Sequence, residues 1–187
     1  MKAEKTKENI IVQTIALIQE GKGDIESITI RKIAEHAGVS VGLINHYFGT
    51  KDALIEVCVD RFIRGVVQSF SLEQLECNDS IDVTKIIAKT VVDFLMDNIQ
   101  ISNISILSDL KSPSANNNTM GTVMGFAYCL SGGKITEKHK QQAFALTSML
   151  QEAFLQRDIL KEVIGIDFYD KKARDQYIDW MIDCIVR

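Results

Sequence analysis

The stretch from residue 28 to residue 48 predicts two short helices separated by a tight turn. Thr29 is a good N-cap residue, because its hydroxyl accepts a hydrogen bond from an unpaired amide of the first turn. Gly38 follows where a helix ends in a left-handed conformation, and Ser40 caps a second helix almost immediately. Apolar residues recur between these positions at helical spacing, at Ile30, Ile33, Ala34 and Ala37. This pattern is typical of a helix-turn-helix, whose second helix enters the major groove of DNA.

Two runs of residues carry a resemblance to a known family. Residues 33–42 read IAEHAGVSVG and residues 46–54 read HYFGTKDAL. They resemble the DNA-binding domain of TetR-type transcriptional regulators, and the similarity extends over about residues 8–56. The alternative is a helical hairpin buried in a core, which gives no reason for Asn45, His46 and Lys51 to follow so short a turn. The resemblance implies a three-helix DNA-binding head and a helical body that holds a small-molecule cavity.

Composition favours an all-α protein that meets DNA through one end. The chain has 187 residues, of which 46% are hydrophobic, and this is enough to bury a proper core. A single proline and the lack of period-two alternation argue against a sheet. The net charge is −4, but residues 1–51 carry seven basic and six acidic residues. A nearly neutral head on an acidic body is compatible with docking to phosphates through the head alone.

Helical periodicity predicts about nine helices in all. Residues 101–110 are apolar at every second or third position, which also fits a strand, but the absence of a partner strand favours a helix. Residues 1–7 are expected to form a loose polar arm. Outside the helix-turn-helix, the predicted bounds are 6–19, 51–74, 81–99, 101–110, 119–130, 137–158 and 169–186, with residues 159–164 as a short tail.

The domain boundary is predicted near residue 50, with a DNA-binding helix-turn-helix domain over 1–50 and a helical ligand-binding and dimerisation domain over 51–187. The helix from Lys51 spans roughly 36 Å at 1.5 Å per residue, which is long enough to link the two. The helices over 137–158 and 169–186 are apolar on more than one side, so a second subunit is expected to cover one face. These last two long helices therefore predict a homodimer.

The predicted DNA contacts combine residues that position the head with residues that read bases. Lys51, Tyr47 and Ser40 are expected to meet the phosphate backbone. Arg31, Leu43 and Asn45 are expected to contribute specificity through base edges and thymine methyls. The resemblance implies a tyrosine at the position of Asn45, so one backbone contact is expected to be lost or made differently. The full predicted set is Thr29, Arg31, Ser40, Val41, Gly42, Leu43, Asn45, His46, Tyr47 and Lys51.

The body is expected to hold the small-molecule effector that the resemblance implies. Its richness in Ile, Met and Phe favours an apolar or amphipathic ligand. For each candidate liner, the alternative of an ordinary core residue stays open. The candidates are Phe62, Val66, Phe94, Met120, Met124, Phe126 and Tyr128.

Other functional classes find little support in the sequence. The histidines His36, His46 and His139 form no metal-spaced set, and no nucleophile triad, P-loop or glycine fingerprint is present. Neither a metal, a cofactor nor an enzymatic activity is therefore expected. The four cysteines lie far apart without a CxxC pair, which favours reduced, mostly buried thiols: Cys58, Cys77, Cys129 and Cys184. With no leader and no apolar run of 18 residues, the expected location is the cytoplasm, with no membrane partner.

Two hypotheses for function follow. The first is a sequence-specific, DNA-binding transcriptional regulator, expected to be a repressor that a ligand releases from operator DNA. The alternative is a helical ligand-binding or scaffold protein whose head contacts a protein partner, and the acidic balance of the chain supports it.

Overall fold

The computed structural model describes residues 2–21, 24–69 and 79–187, which form α-helices and no strand. The all-α prediction is confirmed. Within these ranges there are ten helices, because residues 160–164 of the predicted tail are helical as well. The helices are α1 (Lys2–Glu20), α2 (Ile30–Ala37), α3 (Val41–Phe48), α4 (Lys51–Ser69), α5 (Ser80–Asp97), α6 (Ile99–Lys111), α7 (Asn118–Ser131), α8 (Glu137–Leu155), α9 (Leu160–Ile164) and α10 (Lys171–Val186).

The helices group into two compact units. One unit combines α1 to α4 with α6, and the other combines α5 with α7 to α10. The helix α6 therefore belongs with helices that lie far from it in the sequence. The division into a DNA-binding domain and a ligand-binding domain near residue 50 concerns function and stays a prediction.

The first unit is built on α1, which packs against both α2 and α4, while α4 also packs against α3 and α6. The side chains between these helices are fully buried, including Ile10, Leu17, Ile33, Ile44 and Leu54. Burying an aliphatic side chain of this size contributes about 1.5–3 kcal/mol. One face of each helix is therefore fixed against the core, and the opposite face is left to solvent.

The N-terminal arm is a correction to the sequence prediction. Residues 2–7 are the first turns of α1, not a loose segment. Alanine, glutamate and lysine are good helix formers, and Glu4 in the first turn interacts favourably with the positive end of the helix dipole. Four other bounds differ by two or three residues: α5 ends at Asp97, α6 begins at Ile99, α8 ends at Leu155 and α10 begins at Lys171. The predicted extension of α4 to residue 74, like Cys77, lies outside the described residues.

The predicted boundaries of the helix-turn-helix are confirmed. The Thr29 hydroxyl accepts a hydrogen bond from the Lys32 amide, and the Ser40 hydroxyl accepts one from the Leu43 amide, both at 3.2 Å. Gly38 ends α2 with φ of 65° and ψ of 35°, in the left-handed region. These local signals make the turn between the two helices only three residues long, from residue 38 to residue 40.

We expect Gly38→Ala to destabilise the protein by about 1–2 kcal/mol, because a Cβ is strained in the left-handed region. No atom lies within 4 Å of the position that the Cβ would take, so the cost comes from the backbone conformation. The matched control is Gly42→Ala, inside α3 and without a positive φ, which is expected to stabilise by roughly 0.5–1 kcal/mol. Urea denaturation followed by circular dichroism measures both. Equal effects of the same sign would contradict this account of the turn.

The second unit packs α7 against α5 and α8, and α10 against α5 and α8. Large side chains fill its interior, among them Phe126, Phe154 and Phe168. Ion pairs at intervals of four residues along α5 meet α10: Lys85 with Asp183 at 2.6 Å, Lys89 with Asp179 at 2.7 Å, and Asp93 with Arg174 at 2.7 Å. These pairs fix the register of α5 against α10.

Within the described ranges, no helix combines the length and the apolar character that crossing a membrane requires.

Candidate nucleic-acid interface

The helix α3 presents one face to the core of the first unit and the opposite face to solvent. Ile44 is fully buried, whereas Gly42, Asn45 and His46 are exposed. A helix with exposed hydrogen-bonding side chains has the dimensions that the major groove of B-form DNA admits. The side-chain amide of Asn45 and the imidazole of His46 can therefore contact the edges of base pairs. Gly42 has no side chain that would keep the helix away from them.

The whole predicted contact set lies at the surface of the first unit. None of its ten members is buried. Six are exposed and four are half-buried: Thr29, Arg31, Ser40, Gly42, Asn45 and His46 are the exposed ones, and Val41, Leu43, Tyr47 and Lys51 are the half-buried ones. This placement is compatible with the predicted contacts, which themselves stay predictions.

The two side chains that cap α2 and α3 can also contact DNA. The hydroxyls of Thr29 and Ser40 each accept from a backbone amide of the helix that they begin. A hydroxyl that accepts in this way still has its own hydrogen to donate. Donation to a phosphate oxygen is therefore open to both side chains, at the two points where the chain enters a helix of the helix-turn-helix.

Lys51, at the first position of α4, already has a partner within the unit. Its Nζ donates to the backbone carbonyl of Ile28 at 2.9 Å. An ammonium group has three hydrogens to donate, so the bond to Ile28 leaves two for other acceptors such as phosphate oxygens. Lys51 therefore also holds the backbone of Ile28, just before α2. The sequence did not reveal this bond, because the two residues are 23 positions apart.

Two further side chains, which the sequence analysis did not single out, contact the ends of α2 and α3. The side-chain amide of Asn9, on α1, donates to the carbonyl of Ala37 at the end of α2, at 2.9 Å. The Lys7 ammonium lies 5.6 Å from the centroid of the Phe48 ring, a favourable cation–π distance. Both contacts tie α1 to the helix-turn-helix. Their only signal in the sequence is a polar residue on an amphipathic helix, which does not reveal the partner.

The predicted ligand-lining residues are dispersed in the structure. Phe62 and Val66 lie on α4 of the first unit and are half-buried. The other five lie in the second unit. There Phe126 is buried, while Met124 and Tyr128 are 46% and 51% exposed on the opposite side of α7. These three side chains of α7 thus do not share one face, and the proposed role of all seven in ligand binding remains untested.

The second unit has an open cavity of about 480 Å³ between α8, α9 and α10. None of the predicted ligand liners borders it. Its walls are mainly apolar, with Met149, Ala153, Leu160 and Val163 in the lining, and Glu152 and Tyr177 add polar groups. Large apolar side chains are exposed on α8, α9, α10 and the segments that connect them: Phe144, Ile159, Val163, Ile164, Tyr169 and Trp180.

The described cysteines and histidines show no arrangement for metal chemistry. Among the residues placed by the structure, no group of three or more His, Cys, Asp or Glu side chains could hold a metal ion. Burial raises the pKa of the Cys58 thiol to about 12, so this thiol is protonated at neutral pH. Cys129 is also buried, whereas Cys184 is exposed.

Comparison with known proteins relates the N-terminal residues to bacterial transcriptional regulators. Residues 10–58 match the family model of bacterial regulatory proteins of the tetR family. The chain is 40% identical over 57 residues to the HTH-type transcriptional regulator BetI 2 of Chromohalobacter salexigens. It is 64% identical over 28 residues to BetI 1 of the same organism. These matches cover 30% and 15% of this chain. They span only 27% and 14% of the two relatives, so the shared sequence is confined to one part of each.

Solved structures share the fold along nearly the whole chain. A TetR transcriptional regulator from Rhodococcus sp. RHA1 superposes with a TM-score of 0.62 at 14% identity, covering 100% of this chain and 98% of the other. A second transcriptional regulator from the same source gives 0.63 at 18% identity, with coverage of 96% and 95%. At such low identity the likeness establishes the fold alone.

Proposed function

We propose that the chain is a transcriptional regulator of the TetR type, a homodimeric repressor that a small apolar or amphipathic molecule releases from operator DNA. The observation that carries the DNA-binding part is the exposed face of α3, which presents Asn45 and His46 beside the capping hydroxyls of a confirmed helix-turn-helix. We propose accordingly that the protein acts as a regulator and not as an enzyme, and that it works in the cytoplasm.

Selection of DNA from a random pool tests the proposal without knowledge of the operator. Immobilised protein is expected to enrich a near-palindromic sequence, since two heads related by twofold symmetry read two copies of one half-site. Binding of the enriched duplex is expected to weaken steeply as salt rises, because phosphate contacts release counterions. A pool that stays random after repeated rounds would overturn the proposal.

The exposed apolar surface of the second unit supports the homodimer. Phe144 on α8 and Trp180 on α10 are 53% and 55% exposed, and both helices were predicted to need a second cover. Aromatic side chains that become buried contribute most of the affinity in many interfaces, so we assign Phe144 and Trp180 as anchors of the dimer. The last two long helices therefore supply the surface for a second copy of the chain.

We expect the double variant Phe144→Lys with Trp180→Lys to raise the dimer dissociation constant by at least about 30-fold, the effect of losing one strong anchor of about 2 kcal/mol. Light scattering at micromolar concentration measures the change from dimer to monomer. The matched control is Val12→Lys, an apolar side chain that is 48% exposed on the first unit. A wild-type chain that is already monomeric at this concentration would contradict the proposed assembly.

Release by a ligand is proposed to follow from linkage between two sites. A ligand that prefers a conformation with altered spacing of the two heads weakens DNA binding by its differential affinity, typically about 1–3 kcal/mol. The helix α4 supports this idea, because it begins with Lys51 beside the helix-turn-helix and continues through Ser69. A thermal-shift screen of small apolar compounds, followed by titration of the DNA complex with each hit, tests it. Hits that stabilise the protein without releasing DNA would argue against ligand release.

A further inference from the structure

The loop of residues 24–29, which leads into the helix-turn-helix, is held by side chains from two other helices. The backbone amide of Ile25 donates to Oε1 of Gln100, on α6, at 2.8 Å. The backbone carbonyl of Ile28 accepts from Nζ of Lys51, on α4, at 2.9 Å. Thr29 follows directly as the N-cap of α2. A side chain of α6 thus fixes the beginning of the loop, and a side chain of α4 fixes its end.

The packing of α6 sets the position from which Gln100 reaches the loop. The helix α6 packs against α4 through a buried face formed by Ile101, Ser102, Ser105 and Ile106. Gln100 precedes this face by one residue, so its backbone position is set by the packing of α6. Gln100 itself is exposed. Its contribution to the unit is therefore the hydrogen bond and not the burial of its side chain.

Apart from the bonds to Gln100 and Lys51, the hydrogen bonds of the loop are local. Its backbone hydrogen bonds are isolated turns, such as the Ile28 amide to the Ile25 carbonyl at 3.2 Å. Ile25 and Ile28 are buried, at 7% and 1% exposure, and anchor the loop on its inner side. Two residues after the loop ends comes Arg31, a predicted DNA contact. A shift of the loop is consequently a shift of the first helix of the helix-turn-helix.

We propose that Gln100 is a positioning residue for DNA binding, through which α6 holds the helix-turn-helix by the amide of Ile25. This inference rests on the proposed function of the α3 surface. The neighbours of α6 in the sequence, α5 and α7, both belong to the second unit. Gln100 therefore connects the DNA-binding surface to a helix whose two ends continue into the second unit, and this connection is separate from α4.

The test compares Gln100→Leu, which removes the acceptor, with Gln100→Glu, which retains one. Amide hydrogen exchange by NMR reports the bond at Ile25, and titration of the selected duplex at several salt concentrations reports DNA binding. The matched control is Gln151→Leu, which removes a side-chain bond between Gln151 and Thr119 in the second unit. Urea denaturation is run on all variants, and Gln100→Leu and Gln151→Leu are expected to lose similar stability, since each removes one side-chain hydrogen bond.

For Gln100→Leu we expect exchange at Ile25 to accelerate and DNA affinity to fall by about three- to tenfold at every salt concentration, the range of one net hydrogen bond. For Gln100→Glu we expect wild-type protection at Ile25 and affinity within about twofold of wild type once salt screens the added charge. The control variant is expected to change neither quantity.

Three outcomes would overturn the inference. Unchanged exchange at Ile25 in Gln100→Leu would show that the bond does not hold the loop. Faster exchange with unchanged DNA affinity would show that the loop does not position the helix-turn-helix. Equal losses in the Leu and Glu variants would show that the acceptor is not what matters. Failure of the proposed function can be told apart from failure of this inference. If the function is wrong, the wild-type chain selects no DNA, and this is seen before any variant is compared. Exchange at Ile25 still reports, in that case, whether α6 holds the loop.

Discussion

Replacing Asp93 with alanine is expected to destabilise the second unit by about 3 kcal/mol. The Asp93 carboxylate accepts from Arg174 Nη2 at 2.7 Å and from the Lys171 ammonium. The Arg174 side chain is only 6% exposed, and its Nη1 donates to the carbonyl of Phe168 at 2.8 Å. Breaking a buried ion pair by removing one partner costs about 3–5 kcal/mol, since the remaining charge is left uncompensated. The lower end applies here, because the carboxylate is 35% exposed.

The control for this prediction lies in the same network. Lys171→Ala removes the other partner of Asp93, but the Lys171 side chain is 59% exposed. Exposed ion pairs are worth about 0–1 kcal/mol, so this variant should be close to wild type. The chain has one tryptophan, Trp180 on α10, and its fluorescence during urea denaturation follows the second unit. Equal losses in the two variants would contradict the role given to the buried guanidinium.

The same carboxylate predicts a dependence of stability on pH. Burial by itself would raise the pKa of Asp93, but the hydrogen bonds from Lys171 and Arg174 outweigh it and lower the pKa below its ordinary value. A lowered pKa means that the contribution is present above the unfolded-state value, about 3.9, and is lost as pH falls through the folded-state value. The difference in stability between wild type and Asp93→Ala should therefore be constant near pH 7 and shrink below about pH 4.

The double variant Asn45→Ala with Lys51→Ala is expected to weaken binding to the selected duplex by at least about 30-fold. A good contact to a base edge is worth about 1–3 kcal/mol of discrimination, and a lysine on a phosphate adds an electrostatic contribution. Asn45 is exposed on the reading face of α3, and Lys51 begins α4 beside it. Removing Lys51 also frees the carbonyl of Ile28, which adds to the loss through the loop that precedes α2.

The single variants separate these contributions. Asn45→Ala should relax the preference at particular base pairs, whereas Lys51→Ala should weaken binding to all sequences and reduce the salt slope by about one. Fluorescence anisotropy with the selected duplex and with scrambled duplexes measures both effects. The matched control is Lys138→Ala with Gln141→Ala, two exposed residues of α8 in the second unit. Unchanged affinity in the Asn45 and Lys51 double variant would favour the alternative, in which the head contacts a protein partner.

The parts of the fold that the sequence predicted are those decided by neighbouring residues. The caps at Thr29 and Ser40 and the left-handed Gly38 are local, since each side chain or backbone bond reaches no more than about four positions along the chain. The same holds for Thr136, whose hydroxyl accepts from the amide of His139 at the start of α8. Strong turn and capping signals thus place the helix-turn-helix and most helix boundaries before any tertiary contact is known.

The contacts that the sequence did not predict join residues that are distant along the chain. Asn9 and Ala37 are 28 positions apart, Ile25 and Gln100 are 75 apart, and Asp93 and Arg174 are 81 apart. In each case one partner is a polar residue on an amphipathic helix. From the sequence alone, such a residue is expected to face solvent, because its partner is known only once the helices are packed. Helical periodicity gives the face that is buried but not the helix that covers it. This is why α6 was predicted as a helix while its place in the first unit was not.

A hydroxyl-radical footprint of the wild-type protein on the DNA that it selects reports how many copies of α3 contact the duplex and how they are spaced. We expect two protected segments related by twofold symmetry, with centres about 10–10.5 base pairs or a multiple of that apart, because a dimer places two copies of α3 in successive major grooves. Alanine at Asn45 and Lys51 should remove both segments together. Uniform cleavage along the duplex, or a single protected segment without a symmetric copy, would rule out binding by two symmetric heads.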